Sequence, residues 1–259
     1  DDYRKLYREE EYEAADVALR AAQQAWVDNG DYRDERTYYD RILAQVRTDA
    51  LLCREDIQGL GKQSRGVCRD KLLQGGGDAP TMVVIPAATT RDEPYAISKY
   101  EVSTAEFNLF CDRTGRCEEN NSAAATLPAM QVPIELIDAY TEWLSAETGF
   151  RYSLADKARW VNAASAGGRE GNSNYNCRLR LGIKMIKGQN IVEVSSGTAN
   201  NWGLVNYVGN ADEIVRTADG FELVGGNFSD SISDCKVSLS KQLDDNYELA
   251  GFRLVRELN

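Results

Sequence analysis

Hydrophobic positions in the first 74 residues recur at the spacing of an α-helix. One amphipathic stretch runs from Tyr12 to Trp26 and a second from Tyr39 to Leu51, with the turn signal DNGDY between them. Glycine is sparse and proline is absent in this part of the chain, as a helical segment requires. The pattern predicts a helical hairpin, with a third short helix around Cys68 to Leu73, and favours a spacer or platform over a binding role.

Three consecutive glycines, Gly75 to Gly77, break this pattern. They predict a linker at residues 75–80, with the helical segment 1–74 before it and a separate domain 81–259 after it. No apolar run approaches the roughly 18 residues that a membrane-spanning helix needs. Because the chain starts with Asp1 and not with methionine, we expect a mature or excised fragment that has lost a targeting segment or an N-terminal membrane anchor.

Short strand-like runs alternate with helical stretches in the second part of the chain. Ser103 followed by Glu106 is a capping-box signature for a helix start, and Pro133 suits a first helical position. Glycine, asparagine and serine become frequent from Gly167 onward, which predicts loops and short strands. The predicted fold class is α+β: a helical N-terminal hairpin followed by an irregular, loop-rich domain. Strands are predicted at 82–87 and 95–103, and helices from Ser103, from Pro133 and near Ala155.

Charge and composition exclude several classes of function. The net charge is -11, and no cluster of lysine and arginine forms the basic face of a nucleic-acid binder, so we expect no nucleic-acid partner. The chain has no histidine. This absence excludes the Ser-His-Asp and Cys-His hydrolases, the commonest general base, and every zinc site built on imidazole.

The even number of cysteines, without a C-x-x-C pair, indicates disulfides over zinc binding or thioredoxin-like chemistry. Disulfides would place the chain in the periplasm or outside the cell. The alternative is a cytosolic protein with six buried free thiols. Sequence proximity favours the pairs Cys53–Cys68 and Cys111–Cys117, which leaves Cys177–Cys235.

Several motifs in a fixed order make the second domain similar to a known family. Residues 81–258 resemble the formylglycine-generating enzymes, also called sulfatase-modifying factors. The resemblance implies the loop-rich relative of the C-type lectin fold. It rests on MVVIPA, KYEVSTAEFNLFC, AYTEWLSAETGFRYSLADKARWVNAA, NNWGLVNYVGNADEIV, GGNFSDSISDC and GFRLVREL.

One departure from the family decides the expected function. The enzymes bind copper through two cysteines five positions apart, and soft thiolates suit Cu(I). Here Asp230 occupies the first of these positions and only Cys235 occupies the second. We therefore expect no copper, no catalytic residues and no enzymatic activity, with Cys235 held in a disulfide to Cys177.

The resemblance also implies two binding sites. A calcium pattern of the family is matched by Asn206, Gly209, Ala211 and Glu213, where side-chain and backbone oxygens would suit a hard cation. The pocket of the enzymes lies beside the strand that carries their cysteines. In this chain that strand would offer Asn227, Phe228, Asp230, Ser231 and Ser233 to an unknown small-molecule or protein ligand, or would form a degenerate, solvent-filled groove.

Three hypotheses for function follow. The first is a non-catalytic extracytoplasmic sensor or ligand-binding domain of a larger, membrane-anchored protein, similar to degenerate family domains at the ends of kinase-like bacterial receptors. The second is a secreted or periplasmic protein–protein interaction module, similar to lectin-like variable proteins or to immunity proteins of secretion systems. The third is a residual copper-dependent oxidase. The sequence leaves the oligomeric state open.

Overall fold

The computed structural model describes residues 52–63, 66–73, 76–166, 175–244 and 247–258. The chain divides into two compact units, residues 1–52 and 53–259, and the description below concerns the second unit. The predicted helical hairpin lies outside the described residues. Among the described helices, none is long and apolar enough to cross a membrane.

Two of the three α-helices in the described residues begin at a side-chain cap, and the third begins after a proline. Helix α1 (Thr104–Thr114) starts with the predicted capping box of Ser103 and Glu106. Helix α2 (Ile134–Thr148) follows Pro133 and ends at Gly149, whose φ of 78° closes the last turn. Helix α3 (Lys157–Ser165) begins after Asp156, whose carboxylate accepts a hydrogen bond from the Arg159 amide.

A five-stranded antiparallel sheet forms the centre of the unit. Its strands are β1 (Val67–Cys68), β2 (Met82–Ile85), β3 (Tyr95–Ser98), β4 (Tyr152–Leu154) and β11 (Leu254–Glu257). The order across the sheet is β1-β2-β3-β11-β4. Alternate residues of β2 face two different clusters of buried apolar side chains, so the sheet is covered on both faces. This explains why β2 and β3 are hydrophobic at every position except Ser98.

Two smaller sheets complete the fold. The first sheet contains β7 (Asp212–Thr217), β8 (Gly220–Val224), β9 (Ser240–Gln242) and β10 (Ala250–Phe252), and the second is a hairpin of β5 (Leu179–Leu181) and β6 (Lys184–Lys187). The first sheet has the order β10-β7-β8-β9, and β10 runs parallel to β7. The two strands of the hairpin pair only with each other within the described residues.

Helices α1 and α2 cover one face of the central sheet through a cluster of aromatic rings. Phe107, Phe110 and Tyr140 lie with their ring centroids 5.5–5.6 Å apart, in tilted and edge-on orientations. Phe252 from β10 joins them edge-on. On the opposite face the fully buried Trp160 of α3 packs against the second cluster. All three helices therefore direct apolar side chains at the central sheet, α1 and α2 from one face and α3 from the other.

The helix predicted around Cys68 to Leu73 is wrong. Val67 and Cys68 form β1, which pairs with Met82 and Val83 of β2. Before it, residues Glu55–Ile57 form a single 3-10 turn, and the Cys53–Cys68 disulfide closes this segment. Pairing with a buried strand and a covalent closure outweigh the helix propensity of individual residues. The compact unit thus begins at residue 53, before the boundary that the sequence placed at 75–80.

Candidate functional site

Residues 227–233, predicted to be a strand, form a turn-rich loop after β8. Gly225 and Gly226 have φ values of 85° and 74°, which turn the chain away from the sheet. Asn227 then holds the turn, since its Oδ1 accepts hydrogen bonds from the amide and the hydroxyl of Ser229. The strand prediction was wrong here because two consecutive residues in the left-handed region cannot continue a pleated strand.

Lys241 lies between the carboxylates of Asp230 and Asp212 in a small ion cluster. Lys241 Nζ lies 2.6 Å from Asp230 Oδ2 and 3.5 Å from Asp212 Oδ1. Burial opposes the charge of Lys241, but the hydrogen bond to Asp230 and the charge of Asp212 raise its pKa overall. Burial raises the pKa of Asp212, against a hydrogen bond from Asn227. The ammonium group of Lys241 thus lies where a cation would compensate both carboxylates.

The second cysteine position of the family is held in a disulfide. Cys235 pairs with Cys177, and the other two predicted pairs, Cys53–Cys68 and Cys111–Cys117, are confirmed as well. No free cysteine is found within the described residues. With Asp230 at the first position and a disulfide sulfur at the second, this site offers no thiolate to a metal.

A pocket of about 300 Å³ lies beside the ion cluster. Of the predicted ligand residues only Asn227 lines it, whereas Phe228, Asp230, Ser231 and Ser233 do not. Ser231 and Ser233 lie in the same loop with their hydroxyls 2.9 Å apart. The lining mixes carboxylates with one lysine and one tyrosine, and consists of Asp212, Leu223, Asn227, Lys241, Gln242, Asp244, Tyr247, Glu248, Leu249 and Ala250.

The predicted calcium motif is part of a buried polar network. Arg253 donates to both oxygens of Glu213 at 2.8–3.0 Å, and the Trp160 indole donates to Oε2 at 2.6 Å. Asn206 turns its amide nitrogen toward Glu101. In this arrangement the motif does not fit a calcium ion, because a fully buried guanidinium already compensates the only carboxylate of the set. Calcium at Asn206, Gly209, Ala211 and Glu213 stays a prediction of the family resemblance.

Glu101 is the residue of this region that sequence reasoning missed. It is completely buried and accepts hydrogen bonds from the side chains of Asn206 and Asn210 and from the Ala211 amide. Burial raises its pKa to about 8, against the attraction of Arg253. Glu101 therefore holds the loop 206–211 in place, with Asn206 and Asn210 at φ values of 53° and 70°. Its only sequence signal was a charged residue within the predicted strand 95–103.

The remaining described residues offer no further obvious metal site. Within them, no group of three or more Cys, Asp or Glu side chains is placed to hold an ion. A second pocket, of about 260 Å³, lies between α1 and the start of α2. Its lining includes Phe107, Val132 and Leu136, so it is more apolar than the pocket beside Lys241.

Comparison with known proteins places the fold. PvdO from Pseudomonas aeruginosa is similar with a TM-score of 0.57 and 20% identity, over 69% of this chain and 95% of that one. Treponema denticola variable protein 1 has a TM-score of 0.57 and 16% identity, over 73% and 99%. CarF has a TM-score of 0.51 and 16% identity, over 65% and 88%. At these identities the likeness shows the fold alone.

Comparison with curated proteins gave no match. The sulfatase-modifying factor enzyme 1-like domain, in contrast, matches residues 60–258. This range contains the central sheet, the three helices, the ion cluster at Asp230 and the network around Glu101. The family resemblance inferred from the motifs is thereby confirmed, and the chain belongs to the sulfatase-modifying factor enzyme 1-like family.

Proposed function

We propose that this chain is a non-catalytic member of its family that binds a ligand outside the cytoplasm. The observation that carries the proposal is the pair of residues at the two copper positions. Asp230 forms an ion pair with Lys241, and Cys235 forms a disulfide with Cys177. A carboxylate that already has a cation and a sulfur that is already oxidised supply neither of the thiolates that Cu(I) prefers.

The pocket beside Lys241 supports binding of a small polar ligand. Asp212 is 5% exposed at its wall, and Asp244 and Glu248 add further carboxylates. Tyr247 adds an aromatic surface. A ligand with an ammonium or guanidinium group would find carboxylate acceptors and a ring to pack on. The three disulfides favour an oxidising compartment. A sensor domain of a membrane-anchored, kinase-like receptor is the role that combines these features.

The test of the non-catalytic assignment uses thiols and copper together. We expect the purified chain to contain no free thiol, to bind no Cu(I), and to leave the cysteine of a sulfatase-motif peptide unchanged. The double variant Asp230→Cys, Cys177→Ser would restore two thiols at residues 230 and 235 and should gain Cu(I) binding. The matched control is Cys177→Ser alone, with one thiol at this site. Conversion of the peptide cysteine to an aldehyde by the unmodified chain would contradict the proposal.

A protein-binding module is the second candidate. It is favoured by the loop 227–233, which places Phe228 half-exposed beside the exposed Ser229 and Ser233. Two single mutations distinguish the two candidate functions. Asp212→Asn in the pocket should abolish binding of a small cationic ligand and leave a protein complex intact. Phe228→Ala should have the opposite effect, because an exposed aromatic side chain anchors protein interfaces.

A further inference from the structure

The β5–β6 hairpin exposes large aliphatic side chains at its turn. Leu181 is 75% exposed and Ile183 is fully exposed, and Ile186 on the following strand is also exposed. Only Leu73 and Leu239 are comparable elsewhere in the described residues. Three of the five exposed large apolar side chains therefore lie within six residues of one hairpin. Such clustering marks an interaction surface, whereas single exposed apolar residues do not.

The same hairpin concentrates positive charge on an acidic protein. Arg178, Arg180, Lys184 and Lys187 lie within ten residues, and no acidic residue occurs between positions 176 and 192. The chain as a whole has a net charge of -11. Within the described residues, Arg180 and Lys184 form no ion pair, and both are exposed. The hairpin is thus a local basic and apolar element with a charge opposite to that of the rest of the protein.

Strand pairing places the two kinds of side chain next to each other. Arg180 lies opposite Met185, and Leu181 lies opposite Lys184. Directly opposed residues on one face of a hairpin have neighbouring side chains. Each of these pairs therefore combines one cationic and one apolar group on one face of the hairpin. The two pairs lie on opposite faces, because successive strand residues alternate, so a surface that meets the turn end-on can contact both pairs.

The base of the hairpin is fixed to the rest of the unit. Cys177, which precedes β5, is held by the disulfide to Cys235. The Arg178 amide donates to the Asp230 carbonyl at 2.8 Å, and the Ile232 amide donates to the Arg178 carbonyl at 3.1 Å. Gly188 closes the other end, where a side chain would collide with the backbone of Arg178. The exposed turn is thus presented from an ordered base.

We propose that the hairpin 178–188 docks the protein on an anionic phospholipid surface. Leu181 and Ile183 enter the boundary between headgroups and acyl chains, and Arg180 and Lys184 contact the lipid phosphates. Interfacial segments combine apolar side chains with lysine and arginine in this way. Protein interfaces instead favour aromatic residues and exclude lysine. The hairpin contains two lysines and no aromatic residue, which favours lipid over an acidic protein partner.

The acidic body of the protein does not prevent this contact. Three or four residues of extended strand reach about 10 Å. This reach exceeds the screening length of about 8 Å at physiological ionic strength. Carboxylates at the base of the hairpin are therefore largely screened from a membrane that touches the turn.

The test measures binding of the purified chain to vesicles of phosphatidylcholine alone and of phosphatidylcholine with phosphatidylglycerol. We expect binding to the anionic vesicles, weaker binding at high salt, and no binding to the neutral ones. Arg180→Gln and Lys184→Gln should each lower the partition coefficient about fivefold. The double variant Leu181→Thr, Ile183→Thr should lower it at least about tenfold. None of these changes should alter the melting temperature, because the side chains are exposed.

Matched controls exist elsewhere on the surface. Leu73→Thr removes a leucine with the same 75% exposure as Leu181, and Lys62→Gln removes an exposed lysine outside the hairpin. Both should bind anionic vesicles like the unmodified chain. Absence of binding to anionic vesicles would overturn the proposal, as would equal binding by hairpin and control variants. A protein complex that depends on the hairpin, without vesicle binding, would assign the hairpin to an acidic protein instead.

Discussion

Buried charged side chains connect distant parts of the chain. Arg253 is fully buried and bonds Glu213 as well as the backbone carbonyls of Ser98, Lys99 and Val205. Loss of one partner of such a pair leaves an uncompensated buried charge and costs about 3–5 kcal/mol. A single arginine thus fixes the positions of three chain segments at once.

Glu101 is a second buried charged residue, and it leads to a prediction for the pH dependence of the free energy of unfolding. Its pKa of about 8 in the folded unit lies above the ordinary value of 4.5, so the folded state keeps a proton that the unfolded chain releases. The free energy of unfolding should therefore fall as the pH rises from about 4.5 to about 8. One proton contributes a slope of up to about 1.4 kcal/mol per pH unit. Glu101→Gln removes this proton and should flatten the slope in urea unfolding between pH 5 and pH 8.

The control for this prediction is Glu119→Gln, which removes an exposed glutamate. It should leave the slope of the unmodified chain unchanged. Burial also raises the pKa values of Glu106 and Asp212, so some slope of the same sign should persist in Glu101→Gln. An undiminished slope in Glu101→Gln would show that Glu101 is ionised in the folded state.

At the scale of elements, the three disulfides differ mainly in the length of chain they close. Cys177 and Cys235 are 58 residues apart, whereas Cys111 and Cys117 are only 6 apart. The longer loop also connects the exposed hairpin to the loop that contains Asp230. This disulfide therefore restricts the unfolded chain most and joins the two candidate binding regions.

Chain entropy predicts unequal effects of removing these disulfides. Replacing Cys177 and Cys235 by serine should lower the free energy of unfolding by about 4 kcal/mol, and replacing Cys111 and Cys117 by about 2 kcal/mol. Urea denaturation of the two double variants measures the difference. Equal losses, or a larger loss from the short loop, would contradict the entropic explanation.

Elements with local signals were predictable, and those fixed by distant contacts were not. The capping box at Ser103, the helix start near Pro133 and the strands β2 and β3 depend on neighbouring residues, and all are confirmed. Pro133 itself precedes the first helical residue, one position before the predicted one. The prediction for the segment that contains β1 was wrong because this strand pairs with β2, fourteen residues later in the chain. The strand prediction for residues 227–233 was wrong because the two preceding glycines adopt left-handed conformations that the sequence permits but does not require.

At the scale of the whole molecule, the candidate site shows the same difference between local sequence signals, which were predictable, and distant contacts, which were not. The loss of a cysteine at residue 230 was visible in the motif. The compensation by Lys241 was not, because the residues lie on different elements and only the fold brings them together. Glu101 was missed for the same reason, since its partner Asn210 is 109 residues away. The calcium motif, in contrast, was visible in the sequence, and only the fold revealed Arg253 beside Glu213.

Calcium gives a test of this whole-molecule network. Because Arg253 compensates Glu213, we expect the same melting temperature in calcium chloride and in a chelator. If calcium did bind, a free calcium concentration of 100 times the Kd would add about 2.7 kcal/mol to the free energy of unfolding. It would also raise the melting temperature by several degrees. Differential scanning calorimetry measures this directly. A rise in melting temperature that Glu213→Gln abolishes would establish the calcium site and would contradict the Arg253–Glu213 ion pair as the arrangement in solution.

The position of β11 has a consequence for how the chain matures. This strand lies between β3 and β4, which do not pair with each other, and it is the last of the eleven strands in the described residues. The central sheet therefore cannot close before residues 254–257 have been synthesised. All six cysteines precede β11 and become available for oxidation before the sheet that positions them exists. Native pairing should thus depend on late disulfide exchange, and a thiol isomerase should speed refolding from the reduced state.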